Sequence, residues 1–193
     1  MEREVFITGV GGQGVQLAAK ILALAATIEG RQVMSLGTYG GTMRGGNTDG
    51  TVVIADRPIT SPPIVSHGWA ALVVHPQFWA PVRNKLRPGS VVVLEADLAE
   101  DAQGAAEFTT FAVPAKAIAR DIGAPMAGAL VLLAAFCGTS GIVGLDSLGA
   151  AMRQAVPPYR KQHIEANAKA LEVGYSSLPL GGVAAWPAEG AAS

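Results

Sequence analysis

The chain has 193 residues, long enough for one domain with a sizeable core, and half of it is apolar against 15% charged. Its formal charge is −1 with Lys and Arg scattered, which excludes the basic stripe of a nucleic-acid binder. The single cysteine, Cys137, forms no internal disulfide and cannot supply the thiolate set of an iron–sulfur cluster, and His67, His75 and His163 lack metal-ligand spacing.

The chain enters a strand pattern at once, without a charged-then-apolar leader, and its longest apolar run, Ala124 to Cys137, is too short to span a bilayer. A soluble, cytoplasmic protein with no membrane contact is expected. Val5 to Thr8 reads as a buried strand closed by glycines, and the apolar spacing from Val15 to Ala25, stopped by Gly30, as a helix packed closely on a sheet. Gln32 to Leu36 is a second strand. Gly37 to Asn47 holds five glycines in eleven residues and is a loop, and Thr51 to Ala55 is another buried strand. After a proline-rich surface stretch, Arg57 to Pro63, come a strand at Ala71 to His75 and a helix at Pro76 to Leu86. A turn at Arg87 to Ser90 and a strand at Val91 to Leu94 follow. Phe108 to Val113 suits a strand and Ala115 to Ile122 a short helix. Helices are then expected at Met126–Cys137, Leu145–Ala155 and Tyr159–Val173.

This order predicts an α/β fold: a mainly parallel sheet with helices on both faces, a Rossmann-like start and a helical C-terminal third. One domain over 1–175 is expected, followed by an extended tail at 176–193, rich in Gly, Ala, Pro and Ser, that lies on a partner.

Gly9-Val-Gly11-Gly12-Gln13-Gly14 matches G-x-G-x-x-G between a strand and a helix. Glycine lets the backbone turn with positive φ and approach another group, and amides at the helix start can bind a phosphate. A dinucleotide site would also place an acid roughly 20 residues on, for the ribose. The second strand instead ends Met34-Ser-Leu-Gly37, which argues against NAD. The alternative is that the glycines only permit tight strand–helix packing. A second loop, Tyr39-Gly-Gly-Thr-Met-Arg44-Gly45-Gly46-Asn47, sets a planar, permanently charged fork between glycines. It suits a carboxylate, a phosphate or another subunit's backbone, and its plain reading is a solvated surface loop. Elsewhere, His75, Glu95 and Asp97 fall at the carboxyl edge of the sheet, where α/β proteins place functional groups. A capping role is expected for His75, and neither acid has a matched base. Cys137 reads as a small buried residue, and Arg160-Lys161 beside Tyr159 as a solvated helix start.

These pieces, in this order, resemble the gamma subunits of the 2-oxoacid:acceptor oxidoreductases acting on pyruvate, 2-oxoisovalerate, 2-oxoglutarate and indolepyruvate. The resemblance rests on the G-x-G-G-Q-G loop at Gly9–Gly14 and the Y-G-x-x-x-R-G-G loop at Tyr39–Gly46. It includes the strand ending in Asp56 with Ser61-Pro62 after it, Leu86-Arg-Pro-Gly-Ser-Val-Val-Val, Gly123-Ala-Pro-Met-Ala-Gly-Ala-Leu, and the helix Lys161 to Gly174 with Asn167. The chain departs from the family in lacking Asn at 124 or 125, and in Gly50, where a small residue or cysteine is common.

The resemblance implies a complex that decarboxylates a 2-oxoacid on thiamine diphosphate and Mg2+, passes electrons through [4Fe-4S] clusters and forms an acyl-CoA from CoA. Thiamine would sit on alpha and beta subunits and clusters on beta or a ferredoxin-like subunit, leaving this chain with no bound cofactor and no catalytic residue. Gly9, Gly11, Gly12, Gln13, Gly14, Tyr39, Arg44, Gly45 and Gly46 are then expected to face CoA or the active-site entrance, or to form a subunit interface. Trp69, Phe78 and Trp79 would fit an aromatic 2-oxoacid, but core or interface packing explains them more simply. The competing functions are a stand-alone NAD(P)-binding Rossmann-type oxidoreductase and a scaffold that never approaches a ligand.

Overall fold

In a computed structural model, residues 1–39, 46–60, 65–98 and 107–187 are described, and they build one six-stranded sheet with the order β2-β3-β1-β4-β5-β6. The strands are β1 (Glu2–Val10), β2 (Gln32–Tyr39), β3 (Asn47–Ala55), β4 (Gly68–Val73), β5 (Leu86–Glu95) and β6 (Thr109–Val113). β1, β4, β5 and β6 run parallel, whereas β3 is antiparallel to both of its neighbours, β1 and β2. The sheet is therefore mainly parallel with one reversed strand. The reversal follows from connection length: residues 40–46 suffice to join β2 to an antiparallel neighbour, whereas a parallel crossover needs a dozen or more.

Strand alternation assigns the two faces. Val5 and Ile7 of β1, Val52 and Ile54 of β3, Leu72 of β4 and Val91 and Val93 of β5 point to the main helical layer. That layer contains α1 (Val15–Ile28), α3 (Ala115–Asp121), α4 (Gly128–Ser140), α5 (Leu145–Ala155) and α6 (Ile164–Tyr175). Phe6, Ala71, Val73, Val92 and Leu94 point the other way, under the short α2 (Trp79–Arg83). Both faces carry helix, but unequally.

The helices follow from their sequences. α1 presents Ala18, Ala19, Ala25 and Ala26 to the sheet, all buried, and small side chains bring its axis close. A Cβ on Gly50 of β3 would stand 2.6 Å from the Ala19 Cβ, so only glycine fits there. α4 buries every residue from Ala129 to Ser140, which explains a sequence apolar all round: the helix is enclosed.

Several boundaries differ from expectation. Pro81 has no N–H to bond back to the Gln77 carbonyl, so the expected helix at 76–86 becomes a 3-10 turn at Pro76–Phe78 and the five-residue α2. The expected turn at 87–90 lies within β5, where Gly89 takes φ 81° and the β4–β5 register shifts between Gly68 and Ala70. The helix expected from Tyr159 begins as a 3-10 turn, Pro158–His163, ahead of α6.

Residues 176–187 fold back on this chain. The amides of Gly181, Val183 and Ala185 donate to the carbonyls of Gly138, Thr139 and Ser140 at 3.1, 2.9 and 2.8 Å, satisfying the acceptors that the end of α4 leaves unpaired. Trp186 Nε1 donates to the Ile142 carbonyl at 3.1 Å, and the Arg31 guanidinium lies 4.1 Å from the centre of a Trp186 ring. Arg3 Nε donates to the Ala185 carbonyl at 2.6 Å.

Candidate functional site

The carboxyl end of β1 opens into the first glycine loop. Gly9 still pairs with Thr48 across the β1–β3 ladder. Gly12 and Gly14 then take φ values of 101° and 85°, a region that side chains other than glycine's occupy at a cost. Gln13 folds its own loop: its amide donates to the Val10 carbonyl at 3.1 Å and its Oε1 accepts the Val10 amide at 3.0 Å. The Gly11 amide donates to the Gly46 carbonyl at 2.9 Å. The structure therefore brings Gly46, at the end of the second loop, against the first and engages one of the amides expected to be free. Among the described residues the amides of Gly12 and Gly14 have no protein partner. Tyr39 ends β2 opposite Thr48, and Arg44 and Gly45 lie outside the described residues.

The loop has helix starts around it. Gly14 caps α1, and a Cβ there would stand 3.7 Å from the Ala129 Cβ in the first turn of α4. Gly128, where α4 begins, lies against Ala115, where α3 begins: a Cβ on Gly128 would be 3.9 Å from the Ala115 carbonyl. Three helix N-termini thus converge on one edge of the sheet, and their dipoles favour negative charge there. One anion is built in. Glu95, 2% exposed at the end of β5, accepts the Lys116 amide at 3.1 Å. Burial pushes its carboxyl above the usual range; the Lys116 amide and ammonium oppose that, and Asp97 adds to it.

Sequence reasoning missed a polar group beside the loops. Asp49 of β3 accepts the Thr8 hydroxyl at 2.6 Å and the Asn47 side-chain amide at 2.9 Å, while its carbonyl accepts Gln16 Nε2 at 2.7 Å. The available signal was alternation: Asn47, Asp49 and Thr51 occupy every second position of β3, and Thr8 interrupts an apolar strand. Among the described residues, Asn47 Oδ1 and Thr48 Oγ1 are buried without a hydrogen-bond partner, next to Gly46 and opposite Gly9. They give this edge unspent hydrogen-bonding capacity.

The remaining candidates resolve as structural. His75 Nδ1 accepts the Gln77 amide at 3.4 Å and caps the 3-10 turn. Asp97 pairs with Lys116 at 3.3 Å. Trp69 packs on Phe136 at 5.9 Å, and Trp79 meets Phe108 edge-on at 6.2 Å. Cys137 is fully buried, and burial raises its thiol pKa well above the ordinary value. Among the described residues no three His, Cys, Asp or Glu side chains come together as metal ligands, and no helix is long and apolar enough to cross a membrane. The residues present do not fit an iron–sulfur cluster.

Residues 4–177 match the family model described as pyruvate ferredoxin/flavodoxin oxidoreductase. The chain is 30% identical to the 2-oxoglutarate synthase subunit KorC of Methanocaldococcus jannaschii, over 91% of this chain and 93% of that one. It is also 30% identical to the ketoisovalerate oxidoreductase subunit VorA of Methanothermobacter thermautotrophicus, where the match takes 90% of this chain but 36% of the relative. The crystal structure of the keto/oxoacid ferredoxin oxidoreductase gamma subunit from Geobacter sulfurreducens superposes with a TM-score of 0.76 at 27% identity, over 91% of this chain and 97% of that one. These matches, with β3 standing between β1 and β2, overturn the stand-alone NAD(P)-binding reading. In a dinucleotide-binding unit β2 lies beside β1 and its acid reaches the ribose, whereas here β2 is one strand further out and ends without an acid.

Proposed function

The chain belongs to the pyruvate ferredoxin/flavodoxin oxidoreductase family, and from that premise we propose that it is the gamma-type subunit of a complex converting a 2-oxoacid and CoA to an acyl-CoA and CO2. The observation that carries the proposal is the family match over 4–177, which takes in both glycine loops. On this reading thiamine diphosphate, Mg2+ and the [4Fe-4S] clusters belong to partner chains, namely alpha and beta subunits and a ferredoxin-like subunit. The complex works in the cytoplasm. The domain takes in 1–175 and, through the bonds made by 181–186, the returning segment after them.

Within that complex we assign Gly9, Gly11, Gly12, Gln13, Gly14, Tyr39, Arg44, Gly45 and Gly46 to the CoA phosphates or the active-site entrance. Three converging helix N-termini and the amides of Gly12 and Gly14, unpartnered among the described residues, support an anionic occupant. The chain's own work is binding and orientation: main-chain donors hold the phosphate, while Gly11 to Gly46 keeps the two loops in register. The relatives described act on 2-oxoglutarate or ketoisovalerate at equal identity, so substrate profiling of the purified complex selects the 2-oxoacid. The test of the site is steady-state kinetics of the Arg44→Ala complex with CoA varied. A raised CoA KM or a lowered turnover supports the assignment, and both constants unchanged removes Arg44 from it.

A further inference from the structure

The main helical layer covers the greater part of one face of the sheet, whereas on the other face α2 and its neighbours cover only β4, β5 and one side of β1. Over β2 and β3, among the described residues, no helix lies on that second face. The ladders place its residues in cross-strand rows: Met34, Val53 and Glu4; Leu36, Thr51 and Phe6; Thr38, Asp49 and Thr8. Leu36 is 44% exposed, and the opening is confined to one half of β3: positions 47, 49 and 51 are half-buried, whereas Val53 is 3% and Ala55 0% exposed. A groove of about 200 Å³ runs over the second and third of these rows to Val65, Phe78 and Val82.

β2 is also an edge strand of eight residues, QVMSLGTY, with no charge and no proline. Sheet edges left in water are normally short, charged or interrupted. The other edge, β6, is five residues long. A long edge that pairs with no further strand among the described residues, beside the exposed Leu36, is the pattern of a surface covered by protein.

We propose that this open face of β2 and β3 is a docking surface for a partner subunit of the same complex, whose segment lays aliphatic side chains on Met34 and Leu36 and a lysine or arginine on Asp49. The proposal rests on the gamma-subunit reading above. Charge selects the occupant. Glu4 on this face is already paired with Arg87, and Lys85, on the groove wall, lies over the Phe6 ring at 6.0 Å. Asp49 accepts one donor on each oxygen, and a carboxylate has about four lone-pair sites, so capacity is left for a cationic fork. The relative of which this domain makes up 36% shows that the domain also occurs within a longer chain, abutted by more protein.

The experiment uses the native complex. Cys137 is fully buried, so a Leu36→Cys substitution gives this chain one accessible thiol. In the assembled complex that thiol, read at residue 36 by peptide mapping because denaturant also frees Cys137, should react with a maleimide at least about tenfold more slowly than after dissociation in denaturant, since thiol chemistry follows access. A photoactivatable maleimide attached there before assembly should crosslink to a different subunit. Thr38→Lys, next to Asp49 in the ladder, should weaken retention of that subunit, and Thr38→Glu should not. A freely reactive thiol in an intact complex, a crosslink joining two copies of this chain, or the reverse order of the Thr38 variants overturns the proposal. A native protein that purifies without thiamine-enzyme subunits instead overturns the gamma-subunit reading and this surface with it.

Discussion

The hydroxyl of Thr8 donates to Oδ1 of Asp49 at 2.6 Å, from directly opposite positions on β1 and the reversed strand β3. The bond crosses the one place where a helix-linked strand pair has been parted by a third strand, and it ends on a carboxylate.

Loss of that bond is expected to be costly, because Thr8 is only 3% exposed and the acceptor is charged. Thr8→Val should lower stability by about 1.5–3 kcal/mol in a urea titration. The Thr8→Val, Asp49→Asn double variant should lose less than the sum of the single changes. Strict additivity would mean that the pair does not interact.

Gly50 and Ala19 set the separation of α1 from the sheet. Gly50→Ala places a Cβ 2.6 Å from the Ala19 Cβ and should cost about 1–3 kcal/mol by overpacking. Adding Ala19→Gly removes the collision and should return part of the loss, less the helix cost of glycine, about 1 kcal/mol. If the second change restores nothing in thermal melts, the contact is not what limits the site.

Glu95 sets a pH dependence. Its carboxyl pKa is raised in the folded state, chiefly by burial. The folded chain therefore holds this proton more tightly than the unfolded chain. The contribution is fully present below the unfolded carboxylate pKa and is lost as pH rises through the raised value. Glu95→Gln keeps an acceptor for the Lys116 amide without the buried charge, so its Tm relative to the parent should rise between acid and neutral pH. A Tm difference that is flat with pH would show that Glu95 is not destabilised by burial.

Trp186 anchors the returning C-terminal segment through Ile142 and Arg31. Trp186→Ala should cost about 2 kcal/mol, below the 3–5 kcal/mol of a fully enclosed tryptophan because the ring is only partly buried. In a double-mutant cycle with Arg31→Ala the coupling should be about 0.5–1 kcal/mol. Unchanged protection of the Gly181, Val183 and Ala185 amides in Trp186→Ala would show that the segment is held without the ring.

The parts of the fold that were legible in the sequence are those specified locally. Val5 to Thr8, Val91 to Leu94 and Val15 to Ile28 announce themselves by unbroken or helical apolar spacing, and Leu145–Ala155 was bounded as observed because Gly144 precedes it and Val156-Pro157 follows. The reversal of β3 was not legible, since no residue within Asn47–Ala55 states which neighbour it takes; that is decided by the length of the connection before it. Gly9 to Gly14 was found as a motif, but the engagement of the Gly11 amide by Gly46 depends on the same reversal, which returns the second loop to the end of β1. Asp49 was signalled by alternation along β3, but its pairing with Thr8 depends on the same reversal. The return of 176–187 across α4 was equally hidden, because glycine, alanine and serine carry no periodicity and the bonds they make are main-chain ones.

The contact between Arg3 and the Ala185 carbonyl joins the first strand to the far end of the described chain. A rewired protein is therefore within reach: residues 188–193 can serve as the bridge into Glu2, and new ends can be opened at the exposed Arg57, where β3 has already finished. Domains with neighbouring ends tolerate such circular permutation. Here it would leave β1 and its reversed neighbour as near along the polypeptide as before and turn the parallel pairing of β1 with β4 into a contact between widely separated segments, leaving the fold the same and its order of assembly changed.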